Sequence, residues 1–150
     1  MTDDRDEVLA SLLGERTVDI VTTGRRSGQP RTTEIWTTII DGRVYICGTP
    51  NAGRKGATRT PRDWMANLVA HPAFVLRLKR AAQADLTASA QPVTDPAHRR
   101  DLLTRPSAEY YRSAIDLDTA VAYSPIVEVT FTGTWSWLND EVAGQAADRN

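Results

Sequence analysis

The chain has 150 residues, 41% of them hydrophobic and 25% charged, with a net charge of −1 and one cysteine. That is enough for one domain with its own core. It excludes an internal disulfide, and near-neutrality argues against a nucleic-acid binder.

Taken in chain order, residues 3–14 predict a short helix with Val8, Leu9, Leu12 and Leu13 on one face, ended by Gly14. The acidic start (Asp3, Asp4, Asp6, Glu7) is the opposite of a signal-peptide n-region. With the lone Cys47, this fits a cytoplasmic protein. Thr17–Thr23 alternates and is β-branched, a strand. Gly24–Gln29 is a turn, Arg31–Ile40 a second strand, Asp41-Gly42 a hairpin signal and Arg43–Gly48 a third strand. Residues 49–60 read as a loop. The stretch from Arg62 to Ala70 is helical until His71-Pro72 stops it. Phe74–Lys79 and Ala82–Val93 follow as strands four and five. Asp95 caps a helix that has Pro96 at its first position and runs to Leu103. Residues 107–122 predict broken helix, Ile126–Trp137 a long last strand, and Glu141–Asn150 a frayed tail.

Strands dominate, hairpins imply antiparallel pairing, and no βαβ rhythm or Rossmann fingerprint is present. The expected fold is mainly β (α+β): a single domain over 1–150, an antiparallel barrel with flanking helices. No apolar run approaches the length of a membrane-spanning helix.

Charge is concentrated where the chemistry is expected. Residues 24–62 hold eight Lys/Arg (25, 26, 31, 43, 54, 55, 59, 62) against Glu34 and Asp41, a local +6. Arg25, Arg26 and Arg31 around a Gly-bounded turn, with the Ser27 hydroxyl, suit a phosphate; a solvated hairpin tip is the plain alternative. Arg54, Lys55, Arg59 and Arg62 form a second basic segment that could meet a phosphate or several carboxylates, or simply be solvated. Trp64 and Asn67 share a helix face: a flat ring platform with an orienting amide, or a core Trp with a capping Asn. Trp36 shares its strand face with Glu34, an acid that implies that this face opens onto a cleft or solvent. Tyr110, Tyr111 and Tyr123 could line a pocket and donate a proton, or pack as amphipathic residues. His71 and His98 have no metal-ligand spacing, no nucleophile elbow or P-loop occurs, and Cys47 reads as a core residue. A phosphate site beside aromatics without its own acid–base pair points to a flavin-like cofactor.

The ordered set Thr22-Thr23-Gly24-Arg25-Arg26-Ser27-Gly28-Gln29-Pro30-Arg31, Ile35-Trp36, Asp41-Gly42-Arg43-Val44-Tyr45, Gly48-Thr49-Pro50 and Arg62-Asp63-Trp64-Met65-Ala66-Asn67-Leu68 resembles the deazaflavin (F420)-dependent nitroreductase and quinone reductase family. The likeness continues through Ala84-Asp85-Leu86, Pro92–Pro96 and Ser124–Val129 and covers roughly residues 17–130. It implies an actinobacterial split β-barrel of the flavin-binding superfamily. It implies coenzyme F420 as cofactor, with FMN as the alternative, and hydride transfer to a quinone, nitroaromatic or activated alkene. A non-enzymatic cofactor or tetrapyrrole carrier is the remaining alternative. By position it assigns Arg25, Arg26, Ser27, Arg31, Trp36, Gly48, Thr49, Pro50, Arg62, Trp64 and Asn67 to the cofactor. It gives the substrate side to Tyr110, Tyr111 or Tyr123, and no metal is expected. The expected partner is a small electron acceptor, for a cytoplasmic protein or one peripheral to a membrane. Trp135 and Trp137 are candidates for a homodimer interface. Two departures stand out: a longer segment at 51–60, and Glu34, an acid that would repel an anionic ligand unless paired with an arginine.

Overall fold

The computed structural model describes residues 4–49, 62–109 and 116–148. Six strands close into an antiparallel barrel: β1 (Thr17–Thr23), β2 (Pro30–Ile40), β3 (Arg43–Cys47), β4 (Ala73–Lys79), β5 (Gln83–Pro92) and β6 (Ile126–Phe131), in the order β1-β2-β3-β6-β5-β4. Helix α1 is Asp4–Gly14, α2 Asp63–Ala70, α3 Pro96–Thr104, α4 Leu117–Tyr123 and α5 Trp137–Asp148. No helix among the described residues is long and apolar enough to cross a membrane.

The inward residues follow the pleat. Ile20 faces Leu76 across β1–β4, and Leu76 faces Leu86 across β4–β5. Ala88 stands between Phe74 on β4 and Phe131 on β6, a small residue that makes room for two rings. Trp64 and Leu68 of α2, Val8 and Leu12 of α1, and Leu138 and Val142 of α5 complete this core. Strand β3 is buried on both faces, which explains its unbroken apolar run Val44-Tyr45-Ile46-Cys47. Val44 and Ile46 face the barrel, while Tyr45 and Cys47 join Leu102 and Leu103 of α3, Ala120 and Val121 of α4 and Ile126 in a second core. The β2–β3 hairpin turns through Asp41 (φ 52°) and Gly42 (φ 77°), two successive left-handed residues, as a tight two-residue turn requires.

Strand β2 changes partners midway. Residues 30–36 pair with β1, and pairing with β3 begins only at Thr37. Among the described residues, the first half of β2 therefore pairs with β1 on one side and with no strand on the other.

The chain departs from the sequence-based expectation at its end. The last strand stops at Phe131, not Trp137. Gly133 takes a left-handed conformation (φ 61°) and starts a short 3-10 turn. Asn139 then brackets Phe131, its Oδ1 accepting from the Phe131 N–H and its Nδ2 donating to the Phe131 carbonyl, both at 2.9 Å. The segment expected to fray is instead α5, helical to Asp148 with Val142 buried. Trp135 and Trp137 pack against the core, and the Arg5 guanidinium lies 4.8 Å from the Trp137 ring. Both indoles, candidates for an interface, are thus partly engaged within the chain.

Arg99 on α3 binds the second core together. Its guanidinium is buried and donates to three backbone carbonyls: Val121 at 2.7 Å, Val93 at 2.8 Å and Ser124 at 2.5 Å. Burial lowers its pKa. Replacing it with Met strands three carbonyls in an apolar setting, so Arg99→Met should cost about 3 kcal/mol in urea unfolding. A loss below about 1 kcal/mol would show that those carbonyls find other donors.

Candidate active site

The turn after β1 is built by glycine and held by buried polar groups. Gly24 N–H donates to Gln29 O at 2.8 Å, and Gly28 N–H to Gly24 O at 2.9 Å. A Cβ on Gly24 would stand 2.5 Å from Ser27 Oγ and 3.3 Å from the Gln29 carbonyl, so a larger residue would push the Ser27 hydroxyl out of its place in the turn. Asn67 of α2 is 5% exposed and uses both ends of its amide. Its Oδ1 accepts from the Arg25 N–H at 3.0 Å, and its Nδ2 donates to Thr22 Oγ1 at 3.2 Å. Thr22 Oγ1 reaches Arg31 O at 3.5 Å. One buried amide on α2 therefore fixes both ends of the arginine turn. Asn67 is a positioning residue, and Thr22, a polar residue on the core face of β1, belongs to the same device.

Above this turn lies a cleft of about 480 Å³ lined by Arg25, Arg26, Ser27, Arg31, Asp63 and Trp64 among others. Arg25 lies 3.6 Å from exposed Asp63. Arg26 and Arg31 have no ion-pair partner among the described residues. Ser27 Oγ accepts from Gln29 N–H at 3.1 Å, leaving its own proton to donate. Three guanidinium groups face one carboxylate, so the cleft suits an anion with several oxygens.

A second cleft of about 310 Å³ adjoins it, sharing Thr33 and Trp64. It runs along the first half of β2 past Glu34, Ile35 and Trp36, and is closed by Cys47, Gly48, Thr49 and Arg62. Buried Trp64 forms one side; Trp36, 39% exposed, stands at the rim. Gly48 lets the walls approach closely here, because a Cβ would press against Pro125 and the Trp64 indole at 3.2 Å each. Arg62 grips Thr49, its Nε donating to the carbonyl and its Nη2 to Oγ1, both at 3.0 Å. Arg62 thus shapes the wall through Thr49.

Glu34 finds its cation in Lys79, which bridges Glu34 and Asp19 (2.8 Å). The pair is with lysine, where sequence reasoning looked for arginine. The two carboxylates, Asp19 foremost, raise the Lys79 pKa. Cys47 is buried, and desolvation pushes its thiol up to about 12. It lines the cleft as a protonated apolar group.

The structure brings together Arg25, Arg26, Ser27, Arg31, Trp36, Gly48, Thr49, Arg62, Trp64 and Asn67 along one continuous groove. Tyr123 is exposed at the end of α4 and lines neither cleft. Pro50, Arg54, Lys55, Arg59, Tyr110 and Tyr111 lie outside the described residues. Among the described residues no cluster has the composition of a metal site.

A closed six-stranded antiparallel barrel flanked by helices is the fold of the split-barrel proteins. Solved structures share the fold. One is Atu2129 of Agrobacterium tumefaciens str. C58, described as of unknown function: TM-score 0.57 and 18% identity, over 84% of this chain and 53% of that one. The present chain thus spans about half of that protein's length. Another is a Clostridium acetobutylicum protein of the pyridoxinephosphate oxidase family: TM-score 0.55 and 14% identity, over 88% of this chain and 86% of that one. A third is named F420 reductase: TM-score 0.54 and 19% identity, over 83% of this chain and 93% of that one. No curated protein matches the chain in sequence. The model of the F420H(2)-dependent quinone reductase family matches residues 6–127, and the chain belongs to that family. It is an oxidoreductase whose cofactor is the deazaflavin F420.

The residues present fit that cofactor by their chemistry: an arginine-rich cleft for a phosphate, continuous with an indole-lined cleft for a flat ring. For Cys47, thiol reagents at pH 8 should leave the native protein unmodified and label it on unfolding. Because the folded pKa is raised above the ordinary 9.0, the burial of the thiol stabilises fully below about pH 9. That contribution should fade as pH rises toward about 12, which a pH series of urea melts reads directly.

Proposed function

We propose that this protein reduces a quinone at the expense of F420H2, and that nitroaromatics and activated alkenes act as further acceptors. The observation that carries this is the groove itself: a cationic cleft and an aromatic cleft joined at Trp64 and Thr33 along the first half of β2. Bound there, the deazaflavin supplies a hydride, two electrons at once.

The chain's own residues bind, orient and screen. Arg25, Arg26, Arg31 and the Ser27 hydroxyl hold the phosphate, and Asn67 keeps the turn that carries them in register. Trp64 and the Gly48-Thr49 segment, clamped by Arg62, would line the cleft that takes the ring. Holding donor and acceptor in contact supplies most of the rate. The described residues at the aromatic cleft offer no ready proton donor: Cys47 is held protonated by burial, and Glu34 is tied to Lys79. The proton is assigned to water or to a tyrosine hydroxyl.

The test is a tryptophan-fluorescence titration of the protein with F420 beside FMN. Preference for F420, followed by turnover of a quinone with F420H2, supports the proposal. Preference for FMN would replace the cofactor on the same fold, and binding of both without turnover would make the protein a carrier. Arg31→Ala should weaken F420 binding about tenfold, roughly 1.4 kcal/mol, with circular dichroism unchanged, and the loss should shrink as salt rises. Unaltered affinity would remove Arg31 from the site.

A further inference from the structure

Glu34 is a carboxylate in the lining of the aromatic cleft, beside a site built for an anion, and the cofactor does not account for it. Its charge is drawn elsewhere. Lys79 Nζ donates to Glu34 Oε2 and, at 2.8 Å, to Asp19 Oδ1. Asp19 stands on β1 directly opposite Glu34 of β2 on one side and Arg77 of β4 on the other. Lys79 follows Arg77 by two residues, so these side chains share the outer face of the barrel. Strand β1 lies between β2 and β4, and Lys79, Asp19 and Glu34 therefore meet over β1. The clefts lie on the other side of β2. To reach Lys79, the Glu34 carboxylate leans across β1, away from the cleft that the residue borders.

The neighbouring cations are engaged elsewhere. Arg77 donates to Asp85, Nε to Oδ1 at 2.8 Å and Nη2 to Oδ2 at 3.4 Å. Arg62, in the cleft wall, donates to Thr49 through Nε and Nη2. Lys79 is half-buried and holds two carboxylates at once. Glu34 is exposed, so its pair with Lys79 adds little to stability. Its effect on where a negative charge stands is larger. A carboxylate within a Debye length of a bound anion, about 8 Å at physiological ionic strength, repels it.

We propose that Lys79 is a positioning residue for ligand binding: it draws the Glu34 carboxylate over β1 and so keeps the aromatic cleft open to anionic ligands, the cofactor among them. This rests on the reading of the groove as the F420 site.

The experiment is a tryptophan-fluorescence titration with F420 at pH 7, in about 50 mM and about 0.5 M salt. Lys79→Met should raise the F420 Kd about fivefold in low salt and less than about twofold in high salt. Lys79→Arg, which keeps the cation, should stay within about twofold of wild type. Two double variants of equal net charge separate the place of the charge from its amount. Lys79→Met with Glu34→Gln should recover the affinity of Glu34→Gln alone. Lys79→Met with Asp19→Asn should keep most of the loss, because Asp19 stands on β1, one strand farther from the cleft. A low-salt F420 Kd within about twofold of wild type in Lys79→Met, or equal recovery in the two double variants, would overturn the proposal while leaving the F420 site intact. Failure of the unmodified protein to bind F420 would overturn the cofactor reading and this inference with it. Should Lys79→Met not fold, Lys79→Gln carries the same comparison.

Discussion

The structure turns on the half-pairing of one strand. Strand β2 is eleven residues long, yet β3 pairs only with its last four. The barrel closes through the other pairings, and among the described residues the first half of β2 has no strand on its second side, where both clefts lie. The arginine turn, the Gly48-Thr49 segment and helix α2 are arranged around those clefts. Each is held by a polar contact with the barrel or with its neighbour: Asn67 to Thr22, Gly48 N–H to Pro125 O at 3.0 Å, and Arg62 to Thr49.

Much of this was legible in the sequence because the signals were local. Alternation and β-branching marked β1 to β5, and Asp95-Pro96 marked the start of α3, where Asp95 Oδ2 accepts from the His98 N–H at 2.9 Å. The end of the chain misled because Phe131, Gly133, Trp135 and Trp137 continue a two-residue period beyond the strand. What ends it is a left-handed glycine and the amide of Asn139, a contact that periodicity does not encode.

The site divides in the same way. The arginines, Trp64 and Asn67 stood out by type and spacing, and the structure gathers them around one groove. Their division of labour did not stand out. Asn67 spends its amide on the turn and on Thr22, which needs helix and turn to be seen together. Thr22 could have been noticed as a hydroxyl on the core face after Val18 and Ile20. Arg16 and Arg99 gave no signal, since each acts on backbone far away in sequence: Arg16 on Thr37, Arg99 on Val121 and Ser124.

Arg99 has a consequence for how the molecule meets acid. The surface ion pairs, such as Arg77–Asp85 and Arg105–Asp41, each depend on a carboxylate. The hold of Arg99 on Val93, Val121 and Ser124 depends on carbonyl oxygens, which do not titrate. The Ser124–Pro125 segment behind Gly48 and Trp64 is therefore anchored by bonds that are indifferent to acidification. The anchor of the aromatic cleft's wall thus does not depend on the charge state of any carboxylate.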